Sequence, residues 1–184
     1  PGFYVWFHPT CPGRSPAGSS PWAITSTSYA RSGNYAWFSA DEASIKDDTI
    51  ATYQVDLRSA SVATLTFYHT YKFETNYDGG VIEVSTNGTS WTDLGSRITT
   101  GGYTSTISTQ YSSPIAGRSA WSGGTLGTMT QVSADLSDFA GNIVQVRFRL
   151  ACDSSVSSTG WYVDDVSITS SGSVPAPTID SFTA

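Results

Sequence analysis

The stretch IVQVRFRL, residues 143–150, decides the fold. Val144, Val146, Phe148 and Leu150 fall on one side of an extended chain, and Gln145, Arg147 and Arg149 fall on the other. A period of two sends alternate side chains to opposite faces of a strand, so one face enters a core and the other meets water or a partner. The same period recurs upstream. In ATLTFYHTYKF (63–73) Leu65, Phe67, His69, Tyr71 and Phe73 share a face; in TYQVDL (52–57) Tyr53, Val55 and Leu57 do; in VIEVST (81–86) Ile82 and Val84 do. No segment sustains a helical period, and SADLSDFAGN (133–142) reads as a short turn. About ten short strands without helices predict an all-β fold, a two-sheet antiparallel β-sandwich of jelly-roll type. Strand spacing alone leaves an immunoglobulin topology open.

Composition points the same way. Charged residues make up 13% of the 184 and aromatics another 13%. With abundant Ser, Thr and Gly, that mix suits short strands and many turns. Nine Lys and Arg against 15 Asp and Glu give a formal charge of −6. Without a basic stripe to neutralise phosphates, nucleic acid is excluded as a partner, and a cation is the better charged ligand. No apolar run approaches the roughly 20 residues of a membrane helix. The chain opens on PGFYVWFHPT without a leader-like run, so it reads as a mature or excised segment. Residues 1–169 read as the sandwich module. Residues 170–184, SSGSVPAPTIDSFTA, read as a Ser/Gly/Pro linker leading into a following immunoglobulin-like domain.

Cys11 and Cys152 lie too far apart in sequence for a redox or zinc motif. Pairing them would close a loop of about 140 residues, nominally worth roughly 5 kcal/mol in the chain-entropy model. Two buried thiols are the other reading. The Ser/Thr/Gly-rich, Lys-poor surface reads as extracellular and favours the disulfide.

The segment FETNYDGGVIEVSTNGTSWTDLG, residues 73–95, holds Glu74 and Asp78 beside Gly79-Gly80. A retaining glycosidase needs two carboxyls about 5–5.5 Å apart across the scissile bond, one of raised pKa. Nothing else in the sequence completes such a site. Gly79-Gly80 reads as a sharp turn, and Asp78 as its cap or as a ligand to a second ion. Asn87-Gly88 reads as a two-residue hairpin turn with positive φ at both positions, joining strands 81–86 and 90–94. His8 and His69 are the only imidazoles, and His69 sits in the apolar row of its strand. No G-x-S-x-G elbow and no H-E-x-x-H appears. Catalysis therefore finds no acid/base constellation.

Residues 96–128 lack alternation and are rich in Gly, Ser and Thr. A long irregular excursion in a β domain is functional or poorly ordered. Tyr103, Tyr111 and Trp121 argue for order and form a candidate ligand surface, with Arg147 and Arg149 adding charge. The same aromatics serve equally well as pins that hold the excursion to the sandwich.

The blocks SGNYAWFSADEASIKDDTIAT, YDGGVIEVSTNGTSWTDLG, SPIAGRSAWSGG and VQVRFRLACDSSVSSTGWYVDDVSIT, in that order, resemble a known family. The chain is similar to the MAM-like, galactose-binding-like jelly-roll modules of secreted bacterial metallopeptidases of the fungalysin and immune-inhibitor types. These modules also accompany other exported hydrolases. The resemblance runs from about residue 22 to residue 169 and is most specific at Gly160–Val166. It implies a secreted, non-catalytic accessory domain that binds glycan or extracellular protein, with a structural Ca²⁺ in many members. A purely structural spacer is the alternative.

The residues offer a place for such an ion. In WYVDDVSIT, Val166 and Ile168 face the core, and parity carries Asp164 to the same side, with Asp165 opposite. An ionised carboxylate facing a core is costly unless paired or metal-bound. SADEASIKDD (39–48) brings Asp41, Glu42, Asp47 and Asp48 onto a loop that in related jelly rolls meets the last strand. The expected Ca²⁺ site therefore draws on Asp41, Asp47 or Asp48 and on one of Asp164 and Asp165. Solvated loop acids, with Asp164 accepting backbone N–H bonds, are the other reading.

Overall fold

The structure, a computed structural model, describes residues 3–7 and 22–172. Cys11, His8 and nearly all of the expected linker lie outside the described residues. Fourteen strands follow in order: β1 (Phe3–Phe7), β2 (Ala23–Ser26), β3 (Tyr35–Ala40), β4 (Lys46–Ala51), β5 (Val55–Asp56), β6 (Val62–Lys72) and β7 (Gly79–Ser85). Then come β8 (Thr92–Asp93), β9 (Ile98–Thr100), β10 (Ser105–Thr106), β11 (Ser119–Ala120), β12 (Thr130–Asp135), β13 (Ile143–Cys152) and β14 (Gly160–Ser171). One sheet runs β2-β3-β14-β6-β12-β9, with β1 also on β14; the other runs β4-β13-β7-β8, with β5 also on β13. All pairings are antiparallel. This is the β-sandwich that the alternation predicts.

The alternating face of β13 forms one half of the core. Val144, Val146, Phe148 and Leu150 are buried with Ile82 and Val84 of β7, against Leu65 and Phe67 of β6 and Trp161 and Val163 of β14. Each such side chain contributes roughly 1.5–3 kcal/mol when taken from water. SADLSDFAGN contains only the 3₁₀ turn Ser137–Phe139.

Strand β7 is buried along its whole length, Gly79 to Ser85. Its outer face is covered by the excursion, where Val81 packs with Ile107, Ile115, Ala120 and Ala151. Gly80 and Trp121 exchange backbone hydrogen bonds at 2.9 and 3.0 Å. Gly79-Gly80 is thus no turn. It is the start of a strand where a neighbour comes very close: a Cβ on Gly80 would lie 2.5 Å from the Trp161 ring. The sharp bend falls earlier, at Asn76, with φ of 70°.

The hairpin also differs from its sequence reading. Only Gly88 has positive φ, at 76°. Strand β7 ends at Ser85 and β8 begins at Thr92, so the loop spans 86–91. Side chains replace the tight turn: Ser85 Oγ accepts the N–H groups of Asn87 and Gly88, and Asn87 Oδ1 accepts those of Thr89 and Ser90.

Strand β14 carries a bulge between Asp164 and Ser167, with Asp165 at φ 48°. The extra residue breaks the parity used above: Trp161 and Val163 before the bulge and Val166 and Ile168 after it are all buried. The bulge marks the point where β3 leaves the edge of β14 and β1 takes it over.

Candidate metal centre

One end of the sandwich gathers the C-terminal ends of β3, β6 and β13 and the start of β7. Asp41 follows β3, Glu74 follows β6, Asp78 precedes β7, and Cys152 closes β13 with Asp153 next. Two donor sets form there. Glu74, Asp78 and Asp153 each offer a carboxylate oxygen, all within 4.8 Å of one another; Asp41, Asp78 and the Cys152 sulfur do the same. Asp78 belongs to both.

Backbone N–H groups hold these side chains in place. Asp41 Oδ2 accepts from Glu74 at 3.2 Å and from Ser158 at 3.1 Å. Asp78 Oδ1 accepts from Asp153 at 2.6 Å, and Asp153 Oδ1 from Ser155 at 2.8 Å. The Glu74–Asp78 loop is clasped by Ser122, whose Oγ reaches the carbonyls of both residues. What remains is unusual: Asp41 Oδ1, Glu74 Oε2 and Asp78 Oδ2 are buried with no hydrogen-bond partner among the described residues. Native proteins rarely leave such groups unpaired, and each orphan asks for an explanation. Among the described residues no basic side chain is paired with any of the four carboxylates.

The electrostatics express that crowding. Burial, then the Asp41 carboxyl beside it and the charge on Asp153, pushes the Asp78 carboxyl up to about 9. Burial and the charges of Asp153 and Asp41 raise Glu74. The Cys152 thiol is pushed far up by burial, although the Glu42 N–H, 3.4 Å from Sγ, pulls the other way. Cys152 is a free, buried thiol. The expected disulfide needs Cys11, which lies outside the described residues.

Of the acids expected to bind calcium, only Asp41 joins this cluster. Asp47 and Asp48 are neighbours on β4 and point to opposite faces. Asp47 holds Arg149 through two bonds of 2.7 and 2.8 Å. Asp48 holds Lys46 at 3.0 Å and Ser39 at 2.9 Å. Asp164 sits at the bulge, where its Oδ2 accepts the N–H groups of Arg31 and Ser32 and its Oδ1 that of Asp165; Asp165 accepts from Ser32 Oγ. Gly160, not Asp164, is the β14 residue opposite Ala40, so four strand residues, roughly 13 Å, separate Asp164 from the end where Asp41 lies. Glu74 and Asp153 were not foreseen as metal ligands. Glu74 lay in the stretch weighed for catalysis. Asp153 carried no signal, because only the register of β13 beside β7 brings it to Asp78.

The expected ligand surface is largely occupied. Trp121 is buried in the core, and its Nε1 donates to the carbonyls of Gly101 and Gly102. Tyr103 packs on Trp121, donates its hydroxyl to Asp93 and accepts the Ile82 N–H. Arg147 lies over the Trp91 ring and bonds the buried Glu83 at 2.5 Å; Arg118 bonds Glu83 at 2.7 Å and Asp93 at 2.6 Å. Of the five candidates, Tyr111 alone is exposed, at 54%. Beside this network an open cleft of about 830 Å³ is lined by Asp93, Ser96, Tyr103, Thr104, Thr106 and Arg118.

His69 is buried and accepts the Trp161 indole N–H at 3.1 Å. Burial pushes its imidazole down to about 3, so it is neutral at physiological pH. Among the described residues no helix is long and apolar enough to cross a membrane.

The family described as "Immune inhibitor A-like, MAM domain" matches residues 20–178. Among solved structures, the cleaved adhesin domain of Lys-gingipain from Porphyromonas gingivalis is similar in fold. It has a TM-score of 0.50 and 18% identity, covering 92% of this chain and 91% of that one. No curated protein matches the sequence. With its family matched over nearly the whole sandwich, the chain belongs to the immune inhibitor A-like MAM domains.

Proposed function

We propose that the chain is a non-catalytic accessory module of an exported multidomain protein, stabilised by a bound Ca²⁺ and presenting a surface to glycan or extracellular protein. One observation carries the metal reading: Asp78 and Glu74, which with Asp153 form one donor set, each keep a buried carboxylate oxygen without a partner among the described residues. Calcium takes six to eight oxygen ligands at about 2.3–2.6 Å, so two of its ligands lie up to about 5 Å apart. The all-oxygen set of Glu74, Asp78 and Asp153 fits that spacing. These residues would hold the ion, which would supply the positive charge that no side chain among the described residues supplies. A non-catalytic role is supported by the neutral, core-packed His69.

For the ligand surface, the polar cleft beside Asp93 and Arg118 is favoured over the aromatics of the excursion, because Trp121 and Tyr103 are committed to packing. The same packing favours a second reading, a structural spacer that binds metal alone. Two measurements separate them. Chelation should lower the melting temperature of the chain and Ca²⁺ should restore it; no response in demonstrably metal-free protein rejects the metal reading. Glycan-array or pull-down binding that is lost in Thr106→Trp, a substitution that fills the cleft from an exposed position, supports the binding module. Absence of binding in the wild-type chain supports the spacer.

A further inference from the structure

Calcium held by Glu74, Asp78 and Asp153 leaves Asp41 and the sulfur on the other side of the cluster without a role. Cys152 ends β13 with its Sγ close to one oxygen each of Asp41 and Asp78, all three atoms within 4.8 Å of one another. All three residues are buried, Asp78 and Cys152 completely. Asp41 Oδ1 and Asp78 Oδ2 lack partners. The Glu42 N–H is directed at Sγ, an arrangement that favours a thiolate when a cation is present to balance it. A hard cation has little use for sulfur, whereas thiolates select zinc-like and softer metals.

We propose that Asp41, Asp78 and Cys152 form a second cation site, selective for a thiophilic divalent ion, which shares Asp78 with the oxygen-only site and therefore excludes calcium from it. The inference rests on the cation reading above for the place of the site, not for the identity of its ion. Three protein donors match the ligand count of an open zinc-type site, with a fourth position left for water. Binding is a simple exchange: the ion gains a bond to sulfur and the Cys152 thiol releases its proton to solvent. No oxidant or reductant is needed. The two states differ in the partners Asp78 works with. With calcium, Asp78 works with Glu74 and Asp153; with the softer ion, it works with Asp41 and Cys152. The module would then report which class of divalent ion its surroundings hold.

The test uses Cd²⁺ as the thiophilic probe, with Cys11→Ser as the background so that Cys152 is the only thiol. Titration should raise an ultraviolet thiolate-to-cadmium charge-transfer band that saturates at one ion per chain. Cys152→Ser should abolish the band while keeping the Ca²⁺-dependent rise in melting temperature. Excess Ca²⁺ should erase the band, because both sites need Asp78. Should Cys152→Ser fail to fold, cadmium NMR of the Cys11→Ser chain distinguishes sulfur from all-oxygen ligation directly. Cadmium bound without a sulfur signature overturns the proposal, as does a band that survives saturating Ca²⁺ in a chain that Ca²⁺ stabilises. A sulfur band in a chain whose stability ignores Ca²⁺ would leave this site standing and reject the calcium reading instead.

Discussion

Replacing Asp78 by Asn should stabilise the metal-free chain and abolish its response to calcium, two effects of opposite sign from one substitution. Asp78 is fully buried, its carboxyl pushed up to about 9 by burial first and then by Asp41 and Asp153. Near pH 7 the fold must therefore keep neutral a group that ionises near 3.9 in the unfolded chain. That costs about 1.4 kcal/mol for each unit between, or about 4 kcal/mol in all. Asp78 titrates together with the acids around it, so roughly half, about 2 kcal/mol, is assigned to Asp78 alone. The amide of Asp78→Asn carries no such cost. Its oxygen can still accept the Asp153 N–H, and its NH₂ can donate to the orphaned Asp41 Oδ1. For a domain of this size each kcal/mol moves the melting temperature by about 2–4 °C, so the metal-free variant should melt about 4–8 °C higher. With Ca²⁺ at 100 times Kd the wild-type chain gains about 2.7 kcal/mol and the variant gains nothing. The assay is calorimetry or thermal denaturation at pH 7, with chelator and with Ca²⁺. A variant less stable than wild type in chelator, or one that keeps the calcium shift, refutes the reasoning.

Other perturbations follow from the same geometry. The folded Asp78 carboxyl has the higher pKa, so between about 4 and 9 the native state holds a proton that the unfolded state has lost. Stability of the metal-free chain should therefore fall as pH rises through that window, by at most about 1.4 kcal/mol per unit, and calcium should flatten the slope. Melting curves at pH 5 and pH 8, with and without the ion, measure this. Glu83→Gln leaves Arg118 and Arg147 facing a neutral amide. The guanidinium groups reach solvent, so the expected cost is about 2–3 kcal/mol, below the ~3–5 of a fully buried pair, read from the urea midpoint. Trp121→Ala should cost about 3–5 kcal/mol as a core cavity, so its first effect is on the denaturation midpoint and not on binding.

The β-sandwich was legible in the chain because its signal is local. Alternation in 143–150 and 63–73 names the buried face of each strand without knowledge of its neighbour, and both faces were read correctly. The bulge in β14 was not legible, since one added residue reverses parity; yet Asp164 is fully buried and accepts backbone N–H groups, the second of the two readings its sequence offered. Gly79-Gly80 misled for a related reason. Glycine in a sequence announces that a Cβ is unwelcome, but whether for a turn or for the approach of Trp161 depends on what packs against it.

By itself the sequence determined the fold class, the family resemblance and the supply of acids, because periodicity and motif order are properties of the chain. Which acids meet was decided by the tertiary structure. Asp41, Glu74, Asp78, Cys152 and Asp153 come from the ends of four strands separated by up to 112 positions, and antiparallel register alone brings them to one rim. Asp47, Asp48, Asp164 and Asp165 look equally acidic in the sequence, yet each has a partner: guanidinium for Asp47, ammonium for Asp48, backbone N–H groups for Asp164 and a hydroxyl for Asp165. A charge reveals a site only when the fold buries it and leaves it unanswered, and that is a property of the neighbours the fold supplies.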